Sequence, residues 1–197
     1  MPRSSDSAKS RPAGLVLTPG AGADRNHSAL VAIEKAVSSD GVRVERVDFP
    51  YRAAGRKAPD RPPILVATVV EAANALAAKL KVPLEQIALG GRSLGGRMSS
   101  IAVSQGLPAS ALVLVSYPLH PPGKPEQLRV DHFPELKLPC LFVSGTRDAF
   151  GSKEELEAAT VAIAGPVTHV WIEGGDHGLK GKDSIVATTV RDWLIAL

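Results

Sequence analysis

Apolar positions recur along this chain with two different periods, and the two patterns alternate. Short runs rich in Val, Leu and Ile predict six β-strands, at 14–18, 42–47, 87–89, 111–115, 140–144 and 167–172. Between them, apolar residues spaced three or four apart predict helices over 26–38, 64–80, 94–105, 152–163 and 184–197. Strands that alternate with helices are typical of a sheet covered on both faces. We therefore expect an α/β domain, a three-layer sandwich around a mostly parallel sheet of about six strands.

The remaining segments lack periodicity. Residues 1–12 are polar and predict a disordered tail, which leaves 13–197 as a single domain. Residues 48–62 are rich in proline and basic residues and predict a loop. Residues 116–138 hold five prolines and also predict a loop. Loops of that length in a compact domain are often functional, so we expect 116–138 to lie near a site.

Composition narrows the possible environments and partners. The net charge is +3, and the basic residues are scattered, which argues against a nucleic-acid surface. The single cysteine, Cys140, excludes an internal disulfide and fits a reducing compartment. No signal peptide is evident, and no apolar run approaches the roughly 20 residues that span a membrane. We expect a cytoplasmic monomer or homodimer that acts on a small molecule.

The first chemical motif is Gly91-Arg92-Ser93-Leu94-Gly95. It falls between a predicted strand and a predicted helix, as the G-x-S-x-G nucleophile elbow of hydrolases requires. Glycines two positions before and after the serine prevent a clash between strand and helix. A plain glycine-rich turn, which can bind phosphate, is the alternative interpretation of this segment alone.

Two further polar residues directly follow predicted strands. Asp148 follows 140–144, and His177 lies in a glycine-flanked segment after 167–172. Taken singly, the first is an ordinary turn residue and the second a surface histidine. Together, Ser93, Asp148 and His177 follow the α/β-hydrolase order, and parallel strands bring all three to one edge of the sheet. The sequence therefore predicts a catalytic triad.

The triad assigns a role to each residue. Ser93 would be the nucleophile, His177 the general base and acid, and Asp148 the group that orients the imidazole. Glu173 and Asp176 are rival acids, and Asp176 is disfavoured because it adjoins His177. An oxyanion hole needs two N–H donors; we expect Leu94 and a residue of the turn after the first strand, Ala21 or Gly22.

Several basic residues are candidates for a substrate pocket, although a solvated surface role is the alternative for each. They are His27, Arg52, Arg92 and Arg97. No metal site is expected because no His and Cys cluster has ligand spacing, and no cofactor is implied.

Several segments of the chain resemble one family. They are Thr18–Gly22 with His27, Asp48–Arg52 followed by Gly55–Lys57, Gly90–Arg97, Tyr117–Pro125, Gly145–Asp148 and Gly175–His177. Together they resemble the small α/β-hydrolase domains of the KANL/Tex type, relatives of dienelactone hydrolase-like proteins. The resemblance covers residues 14–197 and implies a hydrolase fold without a large cap domain, with the same triad positions. Many relatives carry His-Gly at the oxyanion turn, where this chain has Pro19-Gly20.

Two functions follow as hypotheses. The first is a serine hydrolase that cleaves a small ester or thioester through an acyl-Ser93 intermediate and needs no cofactor. The second is a hydrolase-fold binding or scaffold protein without turnover, because some members of the resembling family look like scaffold subunits.

Overall fold

A six-stranded parallel sheet organises the computed structural model, which describes residues 11–197. Its strands are β1 (Gly14–Thr18), β2 (Arg43–Arg46), β3 (Ile87–Arg92), β4 (Leu112–Val115), β5 (Cys140–Gly145) and β6 (Val167–Ile172). Their spatial order is β2-β1-β3-β4-β5-β6, and every neighbouring pair is parallel. The predicted sheet is confirmed. The expected tail falls mostly on residues 1–10, outside the described residues.

Six α-helices flank the sheet within residues 11–197. They are α1 (Ser28–Ser38), α2 (Pro50–Ala53), α3 (Pro62–Leu80), α4 (Leu94–Ser104), α5 (Lys153–Thr160) and α6 (Asp183–Ile195). Helices α1 and α6 pack on one face, where Leu30 and Val190 belong to the same buried cluster as Leu15 and Leu17 of β1. The opposite face carries α3, α4 and α5. This arrangement confirms the predicted three-layer α/β sandwich.

The burial of the strands explains their composition. Every residue of β1 and β4 is buried, because helices cover both faces of the sheet. Consecutive side chains point to opposite faces, so Val16 joins the core beneath α3 while its neighbours join the core beneath α1. Cys140 is also buried, in agreement with its expected place in a strand, and burial raises the pKa of its thiol.

Two segments predicted as loops contain more structure than their sequences indicated. Helix α2 lies within 48–62, and its Tyr51 is fully buried. Segment 116–138 includes a 3-10 helix, Phe133–Glu135, and buries Tyr117, Leu119 and Phe133 in the core. Both helices were missed because proline is unfavourable in the interior of a helix. Proline is nevertheless well suited to the first turn, where Pro50 lies. Segment 116–138 is therefore a packed wall of the domain.

Helix α3 departs from the expectation that no apolar run approaches the length needed to span a membrane. It has 19 residues, and an 18-residue window of it has a mean hydropathy of 1.5, so by length and composition it could cross a membrane. In the fold, one face of α3 buries Leu65, Val69 and Leu76 in the core. Packing on the sheet buries 39% of that window.

Candidate active site

Three polar side chains converge at the carboxyl edge of the sheet. Ser93 follows β3, Asp148 follows β5 and His177 follows β6. The Ser93 Oγ lies 2.8 Å from His177 Nε2. His177 Nδ1 lies 2.9 and 2.8 Å from the two carboxylate oxygens of Asp148. Residues up to 84 positions apart thus form one continuous hydrogen-bonded chain.

The backbone at Ser93 is strained, and its surroundings hold it in that state. Ser93 has φ 51° and ψ −115°, an unusual conformation for a residue other than glycine. Its N–H donates to the Val115 carbonyl at 2.8 Å, which ties the turn to the end of β4. Ser93 is also the N-cap of α4, so the positive end of the helix lies next to its hydroxyl.

The two glycines of the motif are required by a third element. A Cβ on Gly91 or on Gly95 would lie 2.2 Å from the Thr18 carbonyl oxygen of β1. A Cβ on Gly91 would also lie 2.9 Å from the Gly95 backbone, the strand–helix contact expected from the motif. The tightest constraint is therefore imposed by β1, which does not appear in the pentapeptide pattern.

Asp148 has the geometry of an orienting carboxylate. Its side chain is only 2% exposed, and besides His177 it accepts a hydrogen bond from the Phe150 N–H at 2.8 Å. The rival acids are placed differently. Asp176 accepts from the Leu179 N–H at 2.9 Å within its own turn, and Glu173 is exposed.

Two residues hold His177 in place. The Phe150 ring stacks on the imidazole with centroids 3.9 Å apart. The Arg92 guanidinium donates to the His177 carbonyl oxygen at 2.7 Å. Burial lowers the pKa of Arg92, while Asp148 and Asp176 oppose that shift. Sequence reasoning missed Phe150, although its position two residues after Asp148 on the same loop was an available signal.

The expected oxyanion donors lie on two sides of Ser93. Leu94 is the first residue of α4, where N–H groups have no partner within the helix. Ala21 and Gly22 form the centre of a turn closed by the Ala23 N–H donating to the Gly20 carbonyl at 3.1 Å. The Tyr51 hydroxyl of α2 donates to the Ala21 carbonyl at 2.8 Å and anchors this turn.

A cleft of about 380 Å³ surrounds Ser93, a size that suits a small ligand. It is lined by Ala21, Gly22, Arg92, Ser93, Leu94, Arg97, Pro118, Arg129, Phe150 and His177. We call this space the serine cleft. Two grooves of similar size flank α3 but hold no comparable set of reactive groups.

Only two of the four candidate pocket residues line the serine cleft. Arg92 and Arg97 line the serine cleft, whereas His27 and Arg52 do not. His27 is the N-cap of α1 and accepts from the Ala29 N–H at 3.3 Å, so its ring serves the helix end. Arg52 lies on α2, the helix that the sequence did not predict. Arg129 and Pro118 were missed because segment 116–138 showed no pattern.

The part of the chain that the structure describes contains no group of three or more His, Cys, Asp or Glu residues placed to hold a metal ion. The serine cleft itself is lined by Ser93, a histidine and arginines rather than by a set of metal ligands.

Solved structures share this fold at low sequence identity. Est1E from Butyrivibrio proteoclasticus matches with a TM-score of 0.75 and 16% identity, covering 98% of this chain and 90% of that one. An alpha-beta serine hydrolase homologue from Coxiella burnetii gives 0.76 and 18%, covering 96% and 88%. Dienelactone hydrolase from Anabaena variabilis gives 0.74 and 18%, covering 94% and 87%.

The strand order and the elbow at the end of β3 define this protein as an α/β-hydrolase fold, the class that the sequence predicted. Residues 11–194 match the family model described as an alpha/beta hydrolase domain. Since that match covers nearly the whole chain, the protein belongs to the alpha/beta hydrolase domain family.

Proposed function

We propose that this protein is a serine hydrolase that cleaves a small ester or thioester through an acyl-Ser93 intermediate. The observation that carries the proposal is the hydrogen-bonded chain from Ser93 through His177 to Asp148, with distances of 2.8 Å at both junctions. A serine hydroxyl is a weak nucleophile unless a base takes its proton. The imidazole is within reach to do so, and the buried carboxylate fixes which ring nitrogen is free.

Acylation begins when Ser93 Oγ attacks the carbonyl carbon of the substrate and gives its proton to His177 Nε2. The carbonyl oxygen becomes an oxyanion, for which the N–H groups of Leu94 and of Ala21 or Gly22 are the proposed donors. When the tetrahedral intermediate collapses, the bond to the leaving group breaks. His177 then gives the proton to the departing alcohol or thiol, and the acyl group stays on Ser93.

Deacylation repeats these steps with water. His177 takes a proton from the water molecule, whose oxygen attacks the acyl carbon. The intermediate collapses, the bond to Ser93 Oγ breaks, and the proton returns to the serine. The products are a carboxylic acid and the regenerated enzyme. The Arg92 hydrogen bond and the Phe150 stack support the proposal because they hold the imidazole in position during both acylation and deacylation.

The proposal extends to a closer affiliation. Within the alpha/beta hydrolases, we assign the chain to the KANL/Tex type on the motifs named above. Scaffold function without turnover is the competing hypothesis. It is disfavoured because hydrolase folds that lose catalysis usually lose a member of the triad, whereas this chain retains all three residues in hydrogen-bonding contact.

Labelling with a fluorophosphonate probe tests the proposal, together with hydrolysis of p-nitrophenyl acetate and butyrate. The wild type should be labelled and should turn over the esters, whereas Ser93→Ala should do neither. Ser104→Ala is the matched control, because this serine lies at the far end of α4 and bonds only the Ile101 carbonyl. It should behave as the wild type.

Two results would overturn the proposal. Turnover that survives in Ser93→Ala would place the reaction at another residue. A folded wild type that neither reacts with the probe nor hydrolyses any ester would favour the scaffold function.

A further inference from the structure

The charged side chains that line the serine cleft are of one sign. Arg92, Arg97 and Arg129 contribute three guanidinium groups, and no aspartate or glutamate lines the cleft. Asp148 is buried behind His177 and is engaged by that ring and by the Phe150 N–H. The space in front of Ser93 is therefore electropositive.

None of these three arginines forms an ion pair with a carboxylate within the described residues. Within residues 11–197, four of the twelve arginines form ion pairs with carboxylates, among them Arg46 with Glu34 and Arg191 with Asp40. Neither Arg97 nor Arg129 forms such a pair within this range. Both line the same cleft. Burial lowers the pKa of Arg129, and the charge of Arg97 lowers it further.

Most of the hydrogen-bond donors of Arg97 and Arg129 have no partner within the described residues. The Nε of Arg97 is buried and makes no hydrogen bond within the described part of the chain. Arg129 has one long contact, from Nη1 to the Pro118 carbonyl at 3.5 Å. Arg92 differs, because its Nη2 is committed to the His177 carbonyl. Half-buried guanidinium donors that lack partners are costly for a fold, and an anion would satisfy them.

The backbone beneath the pair is fixed by buried hydroxyls. The Tyr117 hydroxyl donates to the Arg129 carbonyl at 2.7 Å. The Ser100 hydroxyl lies 2.8 Å from the Arg97 carbonyl and 2.7 Å from His132 Nε2. These contacts join segment 116–138 to α4. The two arginines are thus presented by a packed scaffold rather than by a free loop.

The geometry points to an anion-binding subsite made by Arg97 and Arg129, and hence to a substrate that carries a carboxylate in addition to its scissile ester or thioester. This inference rests on the proposed function and names its substrate class. Guanidinium groups suit a carboxylate because their N–H donors match its two oxygens. A cleft of about 380 Å³ has room for only a small molecule of this kind.

Matched pairs of esters test the substrate class. Mono-p-nitrophenyl glutarate carries the charge on its acyl part, and p-nitrophenyl valerate is its neutral partner. 4-Acetoxybenzoate carries the charge on the leaving side, with phenyl acetate as partner. The wild type should prefer the anionic member of at least one pair by about tenfold or more in kcat/KM. No preference in either pair would overturn the inference.

Arginine variants then test which side chains cause the preference for anionic esters. Arg97→Gln and Arg129→Gln should each lower the anionic-to-neutral ratio of kcat/KM by about tenfold, mainly through a higher KM for the anionic ester. Arg43→Gln removes an exposed arginine of β2 and should leave the ratio and both activities unchanged. An unchanged ratio in both cleft variants would overturn the assignment of the subsite.

Binding without turnover separates this inference from the proposed function. Glutarate should raise the Tm of Ser93→Ala, and the further change Arg97→Gln or Arg129→Gln should abolish that rise. If this shift is seen but no ester is hydrolysed, the subsite stands and the hydrolase proposal fails. If neutral esters are hydrolysed through Ser93 and glutarate has no effect on Tm, the hydrolase stands and the subsite fails.

Discussion

The Arg92 guanidinium donates to the carbonyl oxygen of His177 at 2.7 Å and so joins the end of β3 to the loop after β6. The residue immediately before the proposed nucleophile thereby holds the residue proposed as its base. A shift of the His177 loop would move the imidazole away from Ser93 Oγ, and displacements of about 1 Å at such a site are costly for catalysis.

Arg92→Lys should therefore slow catalysis with little effect on folding. Lysine keeps the charge but lacks the planar group that reaches the His177 carbonyl. We expect kcat to fall by about tenfold on neutral esters, with KM within about twofold and Tm nearly unchanged. The rate of fluorophosphonate labelling should fall by the same factor, and Arg43→Lys is the control. Equal labelling rates in the variant and the wild type would contradict a positioning role.

Gly95→Ala should destabilise the domain. The new Cβ would lie 2.2 Å from the Thr18 carbonyl oxygen, and neither backbone can move without distorting the sheet. The free energy of unfolding should fall by about 3 kcal/mol, as measured by urea denaturation. Gly22→Ala is the matched control for stability, because nothing lies within 4 Å of a Cβ at that position. If both variants lost the same stability, the contact with Thr18 would not be the cause.

Tyr51→Phe should loosen the oxyanion turn. It removes the hydrogen bond to the Ala21 carbonyl while keeping the buried ring. We expect a loss of about 1 kcal/mol in the free energy of unfolding and a drop in kcat of roughly fivefold to tenfold. KM for a neutral ester should change little, since the oxyanion forms only during the reaction. A rise in KM with kcat intact would show that this tyrosine acts on substrate binding instead.

Stability should depend on pH through His132. Burial, with a further contribution from Arg97, lowers the pKa of His132 from 6.5 to about 4, although Asp131 acts in the opposite sense. The folded protein then binds fewer protons than the unfolded chain between these values. The stability linked to the neutral ring is present above pH 6.5 and is lost as pH falls towards 4.

His132→Gln tests this dependence through urea titrations at several pH values. Across that window, the variant should lose about 1 to 2 kcal/mol less of its free energy of unfolding than the wild type. This is below the full linkage value because the imidazole is only half-buried. Parallel stability curves for the two proteins would contradict the assignment.

Much of the fold and the convergence of the three polar residues could be predicted from sequence, and for a common reason. Parallel strands covered on both faces produce unbroken apolar runs, as in β4, and their ends are easy to place. The positions of Ser93, Asp148 and His177 follow from those ends. Strand β3 nevertheless runs to Arg92, beyond its predicted end at 89, because the glycines of the elbow concealed the extended backbone.

The other residues that line the serine cleft could not be predicted, because they are placed by tertiary contacts that leave no local pattern in the sequence. Phe150 and Arg129 reach the serine cleft from loops, and a loop residue is placed by what it packs against rather than by its neighbours in sequence. His27 and Arg52 illustrate the converse error. Both lie near the cleft motifs in sequence, yet one caps a helix and the other lies on α2, outside the lining of the cleft.

The contact of Thr18 with both glycines of the elbow has a consequence for how the site is assembled. The first strand of the chain must be in place before the serine turn can take its native backbone, and the base arrives on the loop after the last strand. The reactive centre is thus completed by contacts that β1 and the loop after β6 each make with the serine turn. Because such long-range contacts form late in folding, a nascent or truncated chain would carry no activated serine until the whole sheet is complete.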